Sequence, residues 1–260
     1  WDPAGGTIEG GALAGIDAVV HLAGAGIGDK RWTPERKREI RESRTLGTGL
    51  LTRTLAELPR PPAVLVSASA IGYYGERGDE ELTESSPPGD SVIADVVQAW
   101  EGAAQPAVDA GIRTVFARSG MVLSAEAGAL PRMLPLFRFF VGGRLGSGRQ
   151  WWSWVSIDDE VGAIRFAIDR GDLVGPVNVT APEPVTNAQF TAALGSVMHR
   201  PTVVPVPAFG PRLVLGRELA DELLFTSQRV VPTALTAAGY RFAHPDLPTA
   251  LRAVLGSRAA

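Results

Sequence analysis

The chain has 260 residues, 45% of them hydrophobic, enough to bury a large core as one α/β domain or as a main domain with a smaller lobe. A net charge of −3 gives no electrostatic ground for a nucleic acid or an anionic membrane as partner. The absence of cysteine excludes disulfides, thiolate nucleophiles and cysteine-ligated metals, and three scattered histidines (His21, His199, His244) make no metal site.

No apolar run approaches the length of a membrane span and the amino terminus has no charged-then-apolar leader, so the expectation is a cytoplasmic protein that meets no membrane. Residues 16–22 (IDAVVHL) read as a buried strand running into AGAGIG at 23–28, a loop almost without side chains. Such a loop lets another backbone or a ligand phosphate come close, although an ordinary strand-to-helix turn has the same composition. Thr33-Pro34-Glu35 brings together the capping hydroxyl, the proline and the acid of a helix start, and the helix is expected to reach about Leu58. Its Arg36, Lys37, Arg38, Arg41 and Arg44 form a solvated face from which one or two could reach a phosphate.

Residues 63–75 read AVLVSASAIGYYG. Val64, Leu65 and Val66 have the unbroken apolarity of a strand buried on both faces. The run then turns polar at Ser67, Ser69, Tyr73 and Tyr74, where a parallel strand would end and where open α/β sheets hold their ligands. These hydroxyls are either a candidate active site or turn formers and packed rings with their OH groups satisfied. Residues 76–90 form a polar loop, residues 93–110 a helix stopped by Gly111, and residues 114–117 a further buried strand ending at Arg118-Ser119-Gly120. Strand, helix, strand, helix, strand is the signature of a parallel α/β sheet with right-handed crossovers.

From Leu130 the pattern becomes irregular. The loop GGRLGSGRQ at 142–150 precedes Trp151-Trp152-Ser153-Trp154, an arrangement that could clamp an anionic or sugar-like ligand or connect mobile chain to an aromatic cluster. Asp158, Asp159 and Glu160 open a helix as acids at its amino end, and the two aspartates read as caps before they read as catalysts. Residues 176–180 form a last strand, Thr186–Gln189 a capping box, and Asp246 begins a terminal helix. The Rossmann-like part is expected to span 1–182, and 183–260, rich in proline and short helices, a small lobe over the carboxyl edge of the sheet.

Taken together, WDP at 1–3, HLAGAGI, DKRWTxxRKREIxxSR, SASAIGYYG, GSGRQWWSWVSIDD, NVTAPEPVTN and TSQRVVP resemble the epimerase-like branch of the extended and atypical short-chain dehydrogenase/reductases, described as NAD(P)-dependent nucleotide-sugar epimerase family proteins. The resemblance runs in order along essentially the whole chain. It implies a Rossmann-like sheet, NADP or NAD as cofactor, a small-molecule substrate and room for a homodimer. Family members begin with a strand, a Gly-x-x-Gly-x-x-Gly turn and a helix that hold the dinucleotide pyrophosphate; the sequence starts after that unit, so the resemblance implies an amino-terminal truncation and weak or absent dinucleotide binding. Many members also carry a Tyr-x-x-x-Lys pair on the helix after the hydroxyl-bearing strand, whereas this helix reads IADVVQAWE and has neither residue. Ser156 stands where histidine is frequent.

The reading that follows is an oxidoreductase or epimerase in which Ser69, Tyr73 and Tyr74 are the catalytic hydroxyls. Leu22, Ala23, Gly24, Ala25, Ser67 and Arg118 lie along the cofactor, while Arg144, Arg149 and Trp152, with Arg118 at their side, hold an anionic substrate. The alternative, permitted by the missing Tyr-Lys pair, is a dinucleotide-binding sensor or partner-binding protein without turnover.

Overall fold

In the computed structural model, which describes residues 1–256, the first half of the chain runs through β1 (Ala18–His21), α1 (Pro34–Ala56), β2 (Val64–Ala70), β3 (Glu81–Leu82), α2 (Val92–Gly102), α3 (Gln105–Asp109), β4 (Arg113–Ser119) and β5 (Met121–Leu123). There follow α4 (Leu130–Arg138), β6 (Trp151–Trp152), β7 (Trp154–Ser156), α5 (Ile157–Asp169), β8 (Gly175–Val179), β9 (Val185–Thr186), α6 (Asn187–Met198), α7 (Phe209–Leu215), α8 (Arg217–Ala220), β10 (Arg229–Val230), α9 (Thr233–Ala237) and α10 (Leu247–Gly256). The main sheet is parallel throughout, in the order β1-β2-β4-β8, as the alternation of strands and helices requires.

Side chains alternate across this sheet, so each strand feeds two cores. Val64, Val66, Val115, Ala117, Val177 and Val179 face α5, whose Ala163 and Ala167 let it pack close. Leu65 faces the other way, toward Leu51 and Leu55 of α1, with Ala107 and Ile112. The result is a three-layer sandwich, the Rossmann-like α/β arrangement expected, followed by a largely helical carboxyl-terminal region.

Several elements depart from the sequence reading. Strand β2 does not stop where polarity begins: its ladder with β4 continues through Ser69↔Arg118 to Ala70↔Ser119. The single helix expected over 93–110 is two, because the chain turns after Gly102 and Pro106, lacking an N–H, suits the first turn of α3. The Ala103 carbonyl at the break accepts the Thr52 hydroxyl at 3.1 Å. The loop at 76–90 contains β3, which pairs with β10, and Leu82 and Val230 are buried with Tyr74. The irregular stretch after Leu130 starts with a regular helix, α4, that buries Leu130, Leu134 and Phe137 despite Pro135 inside it. Late segments return to the sheet: the Gln228 amide donates to the Ile71 and Gly75 carbonyls at 3.0 and 3.1 Å, and Leu235 is buried against the α5 face. Among the described residues no helix is long and apolar enough to cross a membrane.

Candidate functional site

Ser69, Arg118 and Asn178 occupy one register row across β2, β4 and β8. Being in register, they share a face of the sheet, the one covered by α2, which offers them Glu101. Glu101 accepts from Arg118 Nε and Nη2, both at 2.8 Å, and its Oε1 also accepts the Ser69 hydroxyl at 2.6 Å. The third nitrogen of the guanidinium donates to the Tyr74 hydroxyl at 3.1 Å, and Tyr74 donates on to Asn178 Oδ1 at 2.6 Å. The guanidinium lies over the Tyr73 ring, 3.4 Å from its centroid. One buried cation therefore has two carboxylate oxygens, one phenol and one aromatic face around it.

The charges follow from this packing. Burial works against the Arg118 charge, and Glu101 more than offsets it, so the guanidinium is held above its ordinary pKa. Burial raises the Tyr74 phenol although Arg118 and Asn178 pull the other way, and this ring is fully covered. Tyr73 is half-buried, and its hydroxyl has no partner among the described residues. Ser119, the next residue along β4, points to the opposite face and donates to Glu160 Oε1 at 2.5 Å. The second oxygen of Glu160 is buried without a partner, and burial pushes this carboxyl up to about 7 against the lowering effect of Ser119.

The side-chain-poor loop lies beyond β1. Leu22, Ala23 and Gly24 are exposed and Ala25 is half-buried, whereas Ser67 is buried with its hydroxyl turned to the Ala68 carbonyl at 3.3 Å. The loop is tied to α1 from beneath. Ser43 accepts from Ala25 N–H at 3.0 Å, Arg44 donates to the Ala25 carbonyl at 2.9 Å, and Arg36 donates to the Gly26 carbonyl. These two arginines, counted with the solvated face of α1, are in fact buried. A side chain at Gly24 would press on Arg44, so this glycine serves the approach of α1. The groove above, about 550 Å³, is bounded by Ala23, Gly24 and Ala25, by Trp1 and Asp2, and by α1. Below the loop, Trp100 donates to Thr48 Oγ1 and His21 Nε2 contacts the same oxygen, both at 3.0 Å. Burial lowers the His21 pKa, which favours the neutral ring, and the indole can only donate, leaving the Thr48 hydroxyl free to donate to Nε2.

The expected substrate residues are spread differently. Trp152 is buried, edge-on to Phe190 at 5.2 Å, with its indole N–H on the Leu224 carbonyl. Arg144 donates to the Gly146 and Ser147 carbonyls of its own loop, both at 3.1 Å, and Arg149 is exposed. The loop is strapped down, Leu145 N–H on Asn187 Oδ1 at 2.7 Å and Gly146 N–H on the Val206 carbonyl at 2.9 Å. Asp159 is more than a cap: Ser156 caps α5, and the Asp159 carboxylate accepts Ala243 and His244 N–H at 2.7 and 3.0 Å, tethering the carboxyl-terminal region. Glu101 and Asn178 do not stand out in the sequence. The available signals were an acid next to Trp100 on the helix facing Ser69, and one polar residue between Val177 and Val179.

Residues 10–180 match the family described as the NAD dependent epimerase/dehydratase family, and residues 206–254 match a domain of unknown function, DUF1731. An epimerase family protein of Mycobacterium leprae is 45% identical over 251 residues, covering 96% of this chain and 81% of that protein. A chloroplastic epimerase family protein of Arabidopsis thaliana is 40% identical over 94% of this chain and 70% of that protein. The human epimerase family protein SDR39U1, solved with NADPH, superposes with a TM-score of 0.89 at 34% identity, covering 96% of this chain and 86% of that one. The family match starts at residue 10 and the sheet starts with β1; neither shows the amino-terminal truncation that the resemblance implied. On these matches the chain belongs to the NAD-dependent epimerase/dehydratase family, as an epimerase family protein with a Rossmann-like fold.

Proposed function

We propose that the protein is an NAD(P)-dependent oxidoreductase or epimerase acting on a small anionic carbonyl or hydroxyl substrate of the nucleotide-sugar kind, with Tyr73 as the hydroxyl that meets the substrate. The observation that carries this reading is the Arg118 guanidinium stacked on the Tyr73 ring at 3.4 Å and clamped by Glu101. It puts a fixed cation beside a tyrosine whose hydroxyl is uncommitted, at the carboxyl ends of β2 and β4, in a chain without the Tyr-x-x-x-Lys pair.

A bound nicotinamide supplies or receives the hydride. Tyr73 gives a proton to the substrate carbonyl oxygen in reduction and takes it from the hydroxyl in oxidation. The Arg118 charge is favourably placed for negative charge on that ring. Ser69, donating to Glu101, keeps its oxygen lone pairs free to accept from a substrate hydroxyl. Tyr74 is buried and orients Arg118.

The groove over Ala23, Gly24 and Ala25 fits the sugar-and-base part of a dinucleotide better than its pyrophosphate. Glu35, Glu39 and Glu42 border it as acceptors for hydroxyls, and Arg36 and Arg44 are already bound to loop carbonyls, which supports weak cofactor binding. Leu22 would pack on the same part from the strand end. Ser67 is buried and supports the strand from below. For the substrate anion, Arg149 is the proposed contact: it is exposed and stands two residues before Trp151 in the chain, where Trp152 is anchored in the core.

A second reading, a dinucleotide-binding protein without turnover, is favoured by one observation: Ser69, Tyr74 and Arg118 are satisfied internally. Titration with NADPH, followed by nicotinamide fluorescence, tests the shared premise. A saturable enhancement that an anionic nucleotide sugar perturbs is expected, and Arg149→Lys should weaken that perturbation while leaving the NADPH response intact. No saturable response at any NADPH concentration would contradict both readings.

A further inference from the structure

Charge is segregated along this chain. Residues 127–157 and 184–217 contain seven of its 25 basic residues and none of its 28 acidic ones. The same two stretches bear much of the exposed apolar surface: Phe139 (77% exposed) and Phe140 after α4, Val203 (85%) before α7, and Phe209, Leu213 (74%) and Val214 on α7, a helix with no buried residue. They are physically joined. The Arg200 guanidinium lies 5.0 Å from the Phe140 ring centroid, a side chain at Gly143 would strike the Val204 carbonyl, and Val206 exchanges backbone hydrogen bonds with Arg144 and Gly146, each at 2.9 Å. Beside them is a pocket of about 310 Å³ with Leu134, Val197, Met198 and Leu255 as apolar walls and Arg138 and Arg200 as its polar residues. Neither arginine has a carboxylate partner among the described residues, and Arg200 Nε is buried without any partner.

We propose that this face docks on an anionic phospholipid bilayer, with the phenylalanines, valines and Leu213 entering the interface and Arg138 and Arg200 taking lipid phosphates. Charge complementarity selects the occupant. Arg132 pairs with Asp29, and Arg212 and Arg217 pair with Asp221, but Arg138, Arg144, Arg149 and Arg200 have no carboxylate partner among the described residues, and a second copy would set these four against the same four, where like charges repel. The exposed apolar side chains come from three separate segments, an arrangement a bilayer accepts because it imposes no complementary shape. Arginine stems can lie along the apolar surface while their heads reach phosphates. The overall charge of −3 gave no sign of this, because the acidic residues lie elsewhere in the chain.

The experiment is co-sedimentation of the protein with vesicles of phosphatidylcholine alone and of phosphatidylcholine mixed equally with phosphatidylglycerol. The expected result is binding to the anionic vesicles only, weakened by salt, and reduced at least about tenfold by Arg138→Gln with Arg200→Gln and by Phe140→Ser with Leu213→Ser. Thermal midpoints accompany each measurement, and because Arg138 is exposed and both arginine changes keep a polar side chain, that variant reads the interface even where the apolar variant fails to fold. Equal sedimentation with both vesicle types, none with either, or undiminished binding by a folded arginine variant overturns the proposal. So does concentration-dependent self-association that the Phe140→Ser with Leu213→Ser protein loses, since that assigns the face to a second copy.

Discussion

The Arg118 guanidinium stacks on the Tyr73 ring at 3.4 Å while Glu101 grips it from the edge through two hydrogen bonds of 2.8 Å. A planar cation can do both at once because the carboxylate lies in its plane and the ring below it. Lysine at position 118 would keep the charge and lose the fork and the stacking.

Removing one member of this buried pair leaves the other charge uncompensated. Glu101→Leu is therefore expected to cost about 3–5 kcal/mol in urea unfolding, and pairing it with Arg118→Met should recover much of that loss. A Glu101→Leu protein as stable as its parent would mean that water reaches Arg118 and that the clamp does not fix it.

Glu160 predicts a pH effect of defined sign. Its folded-state pKa, about 7, lies above the ordinary 4.5, so the folded protein holds this proton more tightly than the unfolded chain. Its contribution is fully present below about 4.5 and is lost as pH rises to about 7, after which the penalty stays constant. The stability of Glu160→Gln relative to the parent should accordingly climb between these pH values, by at most about 3 kcal/mol, and then level off. A difference independent of pH would mean that the carboxyl is ionised and solvated in the fold.

Thr48 is the shared partner of His21 and Trp100 beneath the glycine loop. Thr48→Val keeps the shape and strands both ring nitrogens, which should cost about 1–3 kcal/mol for each group left unsatisfied. Hydrogen exchange at residues 22–26 should quicken in the same variant, because β1 leads directly into that loop. Unchanged protection there would separate the network from the loop.

The parts of the fold set by local pattern were legible in the sequence: the apolar runs of β1, β2, β4 and β8, the Thr33 cap of α1 and the Thr186 capping box of α6 all form as their residues dictate. Boundaries failed where tertiary pairing overrode composition, as in β2, which continues through Ser67 and Ser69 because β4 pairs with it to Ala70. The site was legible only in part. Ser69, Tyr73, Tyr74 and Arg118 stand out as polar residues at strand ends, yet Glu101 and Asn178, which organise them, come from elements 32 and 104 residues away from Ser69 and Tyr74. Three tryptophans within four residues suggest a binding surface, whereas the alternation of the chain there turns Trp152 and Trp154 into the core, a placement that composition alone does not show. Arg36 and Arg44 misled because charge on a helix normally means solvent, and here the carbonyls of a side-chain-free loop gave them a buried role.

The most direct test of Tyr73 as the proton-moving group is the rate of NADPH oxidation at saturating cofactor with an activated α-dicarbonyl as hydride acceptor, for the parent and for Tyr73→Phe. Removal of one hydroxyl that has no internal hydrogen bond should leave the thermal midpoint and NADPH affinity unchanged and lower the rate about 10²-fold. A folded Tyr73→Phe protein that oxidises NADPH at the parental rate would contradict the assignment.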